Sequence, residues 1–272
     1  MWMPGTINPM ADMSRPRPAF APQREPFDDT ELRAVPADEL ARLLEAHELY
    51  VTSGKRLGQR ANLDSVDLRG KDFGGRTLWR VRMSRAELTG ANFEGTDLRR
   101  AFLTGARLQG ARLVSADLTR ARLSGVNLID ADCGSACFAQ ADAEFAILGG
   151  ARLRRADLHD VDMSGAILDG ADLSRVDLRR ANLRGASLQN AVLEEADLRE
   201  ARLGAAFLSQ TSLRGADLRG AYLRVARFHR TDLRGADLRG VVGLTRQQVD
   251  DALWDDDTRL PNELGGAAKG GE

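Results

Sequence analysis

The chain is poor in the residues that usually carry chemistry. Three histidines, two cysteines, three tryptophans and two tyrosines are spread over 272 residues. Two cysteines cannot build the disulfide framework of a small secreted domain. Cys133 and Cys137 have no second ligand pair nearby, so their spacing does not read as a zinc site. His47, His159 and His229 are far apart and accompany no Ser-His-Asp pattern, metal cluster or phosphate loop. No apolar run approaches the ~20 residues of a membrane span. No basic segment followed by an apolar stretch opens the chain, so no signal peptide is expected. The net charge is only −1. These absences argue against an enzyme, a bound metal or a cofactor, and they leave the cytoplasm as the default compartment.

What the chain has in abundance is repetition. From residue 61 to residue 240 it repeats every five residues without an insertion, giving 36 consecutive units. The third position is Leu in 28 units, and the exceptions are Phe73, Met83, Phe93, Cys133, Phe138, Ala143, Met163 and Phe228. The opening position is Ala in 26, with Val or Thr in most of the others. A strict short period of this kind means a solenoid. Five residues fit neither the 3.6-residue turn of an α-helix nor simple strand alternation. The recurrent Gly at the fifth position also opposes helix, where each would cost ~1 kcal/mol relative to Ala. The unit reads as a short extended stretch with its first and third residues inward and its second outward, followed by a corner.

The A-[D/N]-L-x-x pattern, as in Ala91-Asn92-Phe93 and Ala181-Asn182-Leu183, resembles the bacterial pentapeptide-repeat family over residues 61–240. The resemblance implies an all-β solenoid: a right-handed quadrilateral β-helix with four pentapeptides per coil, hence about nine coils. At ~4.8 Å per coil the rod would be roughly 43 Å long.

The flanks read differently. Residues 1–27 carry six prolines and are expected to be a disordered lead. Residues 28–60 are read as an N-terminal capping helix and link. Pro36 opens the helix, which runs to about Val51 with Leu40, Leu43, Leu44 and Tyr50 near one face, and Gly54 ends it. Residues 241–264 are read as a C-terminal capping helix and tail. Thr245 and Gln248 form a capping box before a helix 246–254 that presents Val249, Leu253 and Trp254. A β-helix needs such lids because its open ends expose core and unpaired edges. Residues 265–272 are expected to be disordered.

Two surface features stand out when the repeat is wound with four units to each coil. Asp157, Asp177, Asp197, Asp217 and Asp237 form a column beside Arg179, Arg199, Arg219 and Arg239. One reading is an ion-pair ladder between coils, whose exposed pairs contribute little singly. The other adds Arg80, Arg99, Arg100, Arg120 and Arg180 to make a basic stripe for an anionic partner. The second feature is an interruption between residues 126 and 150, where Cys133, Phe138 and Ala143 replace inward Leu. There Ile129, Phe145, Ile147 and, one coil above, Ile167 face outward. They make a candidate partner patch, unless Phe145 folds over the corner to cover Ala143 and Cys133.

The expected function is a non-enzymatic interaction scaffold with an unknown protein partner, a second copy of the chain included. The family resemblance also implies an alternative, a DNA-mimic modulator or protector of DNA gyrase or topoisomerase. Residues 61–240 carry 28 Lys and Arg against 24 Asp and Glu, and no loop interrupts the repeats. Positive net charge disfavours mimicry of a polyanion, and it does not amount to a nucleic-acid-binding surface either.

Overall fold

The computed structural model describes residues 32–264. The expected disordered segments at 1–27 and 265–272 lie outside the described residues. The repeat winds into coils of four units, each coil with four sides and four corners. Every rung joins residue i to residue i+20 in parallel, from Asn62–Arg82 to Tyr222–Val242 with none skipped. Each side contributes one bridged residue, the second of its unit, and no longer strand forms. Three residues between corners leave room for only one residue to pair on both sides.

The corner explains the rest of the motif. The opening residue of each unit donates its N–H to the third-position carbonyl of the unit before, as in Ala91 to Leu88 at 3.0 Å and Ala181 to Leu178 at 3.0 Å. The fifth residue of every unit has positive φ, from +54° at Val225 to +71° at Gly220. A turn with positive φ only at its third residue has type II geometry, which favours Gly there. The recurrent fifth-position glycine is therefore a corner residue. Where another residue takes its place, the left-handed backbone costs about 1–2 kcal/mol, which coil stacking must offset. The Asp or Asn at the second position presets the same corner. Its Oδ1 accepts the backbone N–H two residues on, at 3.0 Å from Ser174 to Asp172 and 3.1 Å from Arg219 to Asp217. This is the Asx turn.

Inside, the third-position side chains stack coil upon coil. Leu63, Leu103, Leu173 and Leu218 are fully buried, and so are the opening alanines between them. Phe73 and Phe93 stack 4.9 Å apart with planes 12° from parallel, the spacing of the coils themselves. Threonines at the inward opening position satisfy their hydroxyls on the backbone. Thr96 donates to the Phe73 carbonyl at 2.8 Å, and Thr211 and Thr231 donate to Leu188 and Leu208 at 2.6 Å.

The N-terminal helix α1 spans Ala37–Thr52 with Pro36 at its N-cap and Ser53 at its C-cap. Leu40 and Leu44 join the buried core, and Leu43 packs against it. His47 is buried beside them, and its Nδ1 accepts the Ala61 N–H at 3.1 Å. Before the helix, Arg33 bridges Val66 and supplies one extra rung below the first coil. Among the described residues the His47 Nε2 is buried without a hydrogen-bond partner. Burial holds the imidazole below its ordinary value of 6.5, the Glu48 charge opposing that shift and the Arg60 charge adding to it.

At the other end the capping box forms as read. Thr245 accepts from the Gln248 N–H, and Gln248 Oε1 accepts the Thr245 N–H at 2.7 Å. The helix α2, however, spans only Arg246–Asp250, shorter than the expected 246–254. The chain then turns back onto the last coil. Leu253 bridges Asp232 and Arg259 bridges Asp237, so Leu253 is exposed rather than inward. Pairing an open edge satisfies backbone groups that a longer helix would leave bare. Val249 is fully buried and Trp254 packs partly against the core, while Gln248 Nε2 donates to the Leu223 and Ala226 carbonyls at 3.1 and 2.8 Å. No helix among the described residues is long and apolar enough to cross a membrane.

Two outcomes are expected. Leu173→Arg places a charge in a column with no partner for it and should abolish cooperative melting, read by circular dichroism; an unchanged melt would remove the core assignment. For His47 the unfolded chain binds a proton more readily than the folded one below pH 6.5. The contribution of α1 docking should be complete above that pH and lost as pH falls toward the lowered folded value. Amide exchange in residues 37–52 should then rise before exchange in the coils.

Candidate functional site

Four faces follow from the four-unit coil. The second residues 62, 82, 102 and onward lie on the first face, those of 67, 87 and 107 on the second, those of 72, 92 and 112 on the third, and those of 77, 97 and 117 on the fourth.

On the fourth face each arginine bonds chiefly to the aspartate of its own unit. Arg179 donates Nε to Asp177 Oδ1 at 2.9 Å and Nη2 to Oδ2 at 2.5 Å, and Arg199, Arg219 and Arg239 repeat the arrangement on Asp197, Asp217 and Asp237. The step to the next coil is longer, 3.7 Å from Arg179 to Asp197 and 4.0 Å from Arg219 to Asp237. A fork–fork pair two residues apart thus forms first, with the ladder between coils added to it. The hydrogen bond from Arg219 is the leading cause that holds the Asp217 carboxyl below the ordinary carboxylate range.

The other members of the candidate basic stripe are placed as follows. Arg99 pairs with Asp97 at 2.7 Å and Arg180 with Asp160 at 2.6 Å. Arg120 donates to Gln140 at 2.7 Å, and Arg80 lies over the Trp79 ring at 5.2 Å. Only Arg80, Arg100 and Arg120 of the stripe lack a carboxylate partner among the described residues.

The ladder lapses in the middle of the rod, where Thr119, Ala139 and His159 take the arginine position. There His159 Nδ1 lies 2.6 Å from Asp157 Oδ1, and Cys137 Sγ lies 3.2 Å from Thr119 Oγ1 and 3.8 Å from Asp157 Oδ2. Asp157, His159 and Asp177 can bring one ligand atom each to within 4.8 Å of the others. Asp177 is already held by Arg179 through both oxygens. Asp157 and His159 alone fall short of the three or four protein ligands of a zinc centre. Cys133 is inert by burial, which pushes its thiol up to about 12.

The apolar patch sits on the second face. Ile147 and Ile167 are neighbouring rungs, Ile129 stands beside them at 36 % exposure, and Phe145 occupies the preceding corner at 46 %. Phe145 stays exposed, while Ala143 and Cys133 are buried in the core. The Phe145 ring lies over the next corner. A Cβ on Gly165 would meet Phe145 Cδ1 and Cε1 at 2.7 Å, so the glycine makes the space that the ring fills. The same column continues through Ser187 to Phe207, over which Arg227 lies at 4.7 Å. Phe207 escaped the sequence reading because its own unit shows no break in the inward pattern. Reading the second positions down one face, coil by coil, would have found it.

The chain matches the family model described as pentapeptide repeats at residues 67–105, 106–142, 136–175, 171–215 and 205–240. Among solved structures it is similar to HetL of Nostoc sp. strain PCC 7120, a pentapeptide repeat protein involved in heterocyst differentiation regulation. The identity is 33%, with 80% of this chain and 94% of that one covered and a TM-score of 0.40. QnrB1, a plasmid-mediated fluoroquinolone resistance protein, matches at 19% identity over 70% of this chain and 94% of its own, with a TM-score of 0.35. A pentapeptide repeat protein from the Arabidopsis thaliana thylakoid lumen matches at 27% identity over 52% of this chain and 66% of its own, with a TM-score of 0.20. No curated protein matches the chain.

Gly165→Ala should destabilise more than Gly170→Ala. Both corners have positive φ, but nothing lies within 4 Å of a Cβ at Gly170. The backbone cost of about 1–2 kcal/mol is common to both, and the clash with Phe145 adds roughly 1–3 kcal/mol. Adding Phe145→Ala should remove the excess. Equal melting temperatures for the two glycine variants would mean that the ring does not rest there.

Proposed function

The chain belongs to the pentapeptide-repeat family, and on that premise we propose that it is a non-enzymatic interaction scaffold. It would display Ile129, Phe145, Ile147 and Ile167 to a protein partner from a right-handed quadrilateral β-helix of about nine coils. The observation that carries this reading is the apolar strip itself. Ile147 and Ile167 stand at bridged positions where the other rungs hold mostly Asp, Asn or Arg, and Phe207 is a further apolar rung of the same face. Each lies on backbone already fixed by two rungs, so a partner meets side chains whose ordering cost was met in folding. Members of the family are generally scaffolds rather than enzymes. The arginine stripe supports this reading less, since most of its guanidiniums are engaged by aspartates.

The alternative, a DNA-mimic modulator of gyrase or topoisomerase, calls for an acidic rod. The repeat body holds more Lys and Arg than Asp and Glu, and no loop leaves the coils to engage an enzyme. A supercoiling assay with and without a fluoroquinolone separates the two readings: the scaffold reading expects no effect of the protein on gyrase.

The double variant Ile147→Ser/Ile167→Ser tests the strip directly. Light scattering should show the wild-type chain above the mass of one copy, with the variant at that mass. If the partner is another protein, affinity capture should lose it in the variant. Identical mass and identical captured partners in both would retire the strip as a contact site.

A further inference from the structure

Charge is balanced locally along much of the rod, and residues 98–129 and 201–230 depart from that rule with a single acid each. In the first stretch Arg99, Arg107 and Arg112 reach Asp97, Glu87 and Glu94 outside it. From residue 201 to residue 230 the only acid is Asp217, and Arg219 already holds it on the fourth face. The first face of this region carries Arg202 and Arg224, and Arg184 stands on the same face one coil earlier. All three are exposed, and none has a carboxylate partner among the described residues. Asp162, the nearest acid along this face's own column, feels the Arg202 charge only across the intervening Asn182 rung.

The three guanidiniums surround a gap. Arg184, Gly204 and Arg224 occupy the fourth position of successive first-face units, so the two arginines stand about 10 Å apart at their bases with glycine between them. Arg202 adjoins from the second position of the glycine's own unit. Gly204 is not required by its backbone, which has no positive φ. Nor is it required by packing, since a Cβ there would meet only the Arg224 carbonyl at an ordinary 3.7 Å. Its consequence is the notch. Beside the notch Tyr222, the rung above Arg202, is 50 % exposed, and Val225 is 70 % exposed on the adjoining corner. These residues line an open groove of about 660 Å³, within the size range of small-molecule sites.

We propose that this groove binds a phosphate-bearing small molecule with a planar ring, of the mononucleotide class. The phosphate would sit over Gly204, where guanidiniums from two coils and from the neighbouring column can each offer a forked pair of donors. The ring would lie against Tyr222. Three cations without carboxylates, converging on a space with an exposed aromatic edge, match that combination of charge and flat apolar surface. A rod built to balance its charge would pair them as it pairs the fourth-face arginines.

Titration calorimetry on the full chain at low salt tests the proposal with adenosine 5′-monophosphate, adenosine and inorganic phosphate as probes. The nucleotide should bind more tightly than either fragment. Arg184→Ala and Arg224→Ala should each weaken it by about tenfold or more, as loss of a charged hydrogen-bonding partner implies. Tyr222→Ala should weaken the nucleotide and leave phosphate unchanged. Arg199→Ala, on the fourth face, should change neither. Arg184, Arg224 and Tyr222 are exposed and Arg199 is half-buried, and an unchanged melting curve confirms that each variant is folded. No heat from the nucleotide up to about 10 mM, a range covering even weak millimolar sites, overturns the proposal. So does binding that survives both arginine variants. Tighter binding of a single-stranded oligonucleotide, growing with its length, overturns the small-molecule site in favour of a nucleic-acid surface.

Discussion

The molecule rests on one geometric bargain, a corner every fifth position that brings a leucine back over its equivalent one coil later. Closing the coil demands a left-handed backbone at each fifth residue, and most of those residues are not glycine. That strain is borne because each corner returns an apolar side chain to a continuous column and lets the outward-facing rungs pair above and below. Apart from Lys71 and Arg76 in the first coil, the two inward positions therefore hold small residues at the opening place and apolar ones, mostly Leu, at the third. Thr96, Thr211 and Thr231 enter only by handing their hydroxyls to a carbonyl of the coil below.

The same bargain frees the outward positions. A side chain at the second or fourth place of a unit can change without disturbing the column, whereas the fifth stays bound to the left-handed corner. The polar residue found most often at the second place still has a task, because Asp and Asn fasten the following turn. Ile147 and Ile167 give up that fastening, as does Tyr222. Residues that forgo a local structural benefit are where a contact surface is to be expected, and the two proposals rest on such residues. The apolar strip and the arginine groove lie on different faces and draw on different chemistry, so the two proposed sites would not constrain one another.

Legibility followed the same division. The period exposed the inward columns, the corner glycines and the start of α1 at Pro36, because each repeats or carries a strong local signal. The helix ahead of Trp254 read too long, since Leu253 and Trp254 continue an apolar spacing that suits a helix and an edge rung equally. His47 was counted only as one of three scattered histidines, because its burial depends on α1 lying against Ala61. The arginines of the fourth face looked like partners for the next coil. Arg179 can reach an aspartate two positions back without crossing that gap, so the shorter pair forms. Arg184, Arg202 and Arg224 seemed ordinary because what distinguishes them is that coiling brings all three to the rim of one groove.

By itself the sequence determined the repeat, its inward and outward positions and the presence of lids at both ends, since each depends on residues within one unit or one helix. Tertiary structure alone decided which outward side chains meet. Neighbours across coils are separated by about a full coil of chain, and contact between them depends on rotamer and reach rather than on pattern. Phe145 settling on Gly165, Phe207 falling on the same face as Ile147 and Ile167, and three arginines lining one groove beside Gly204 are all arrangements of that kind.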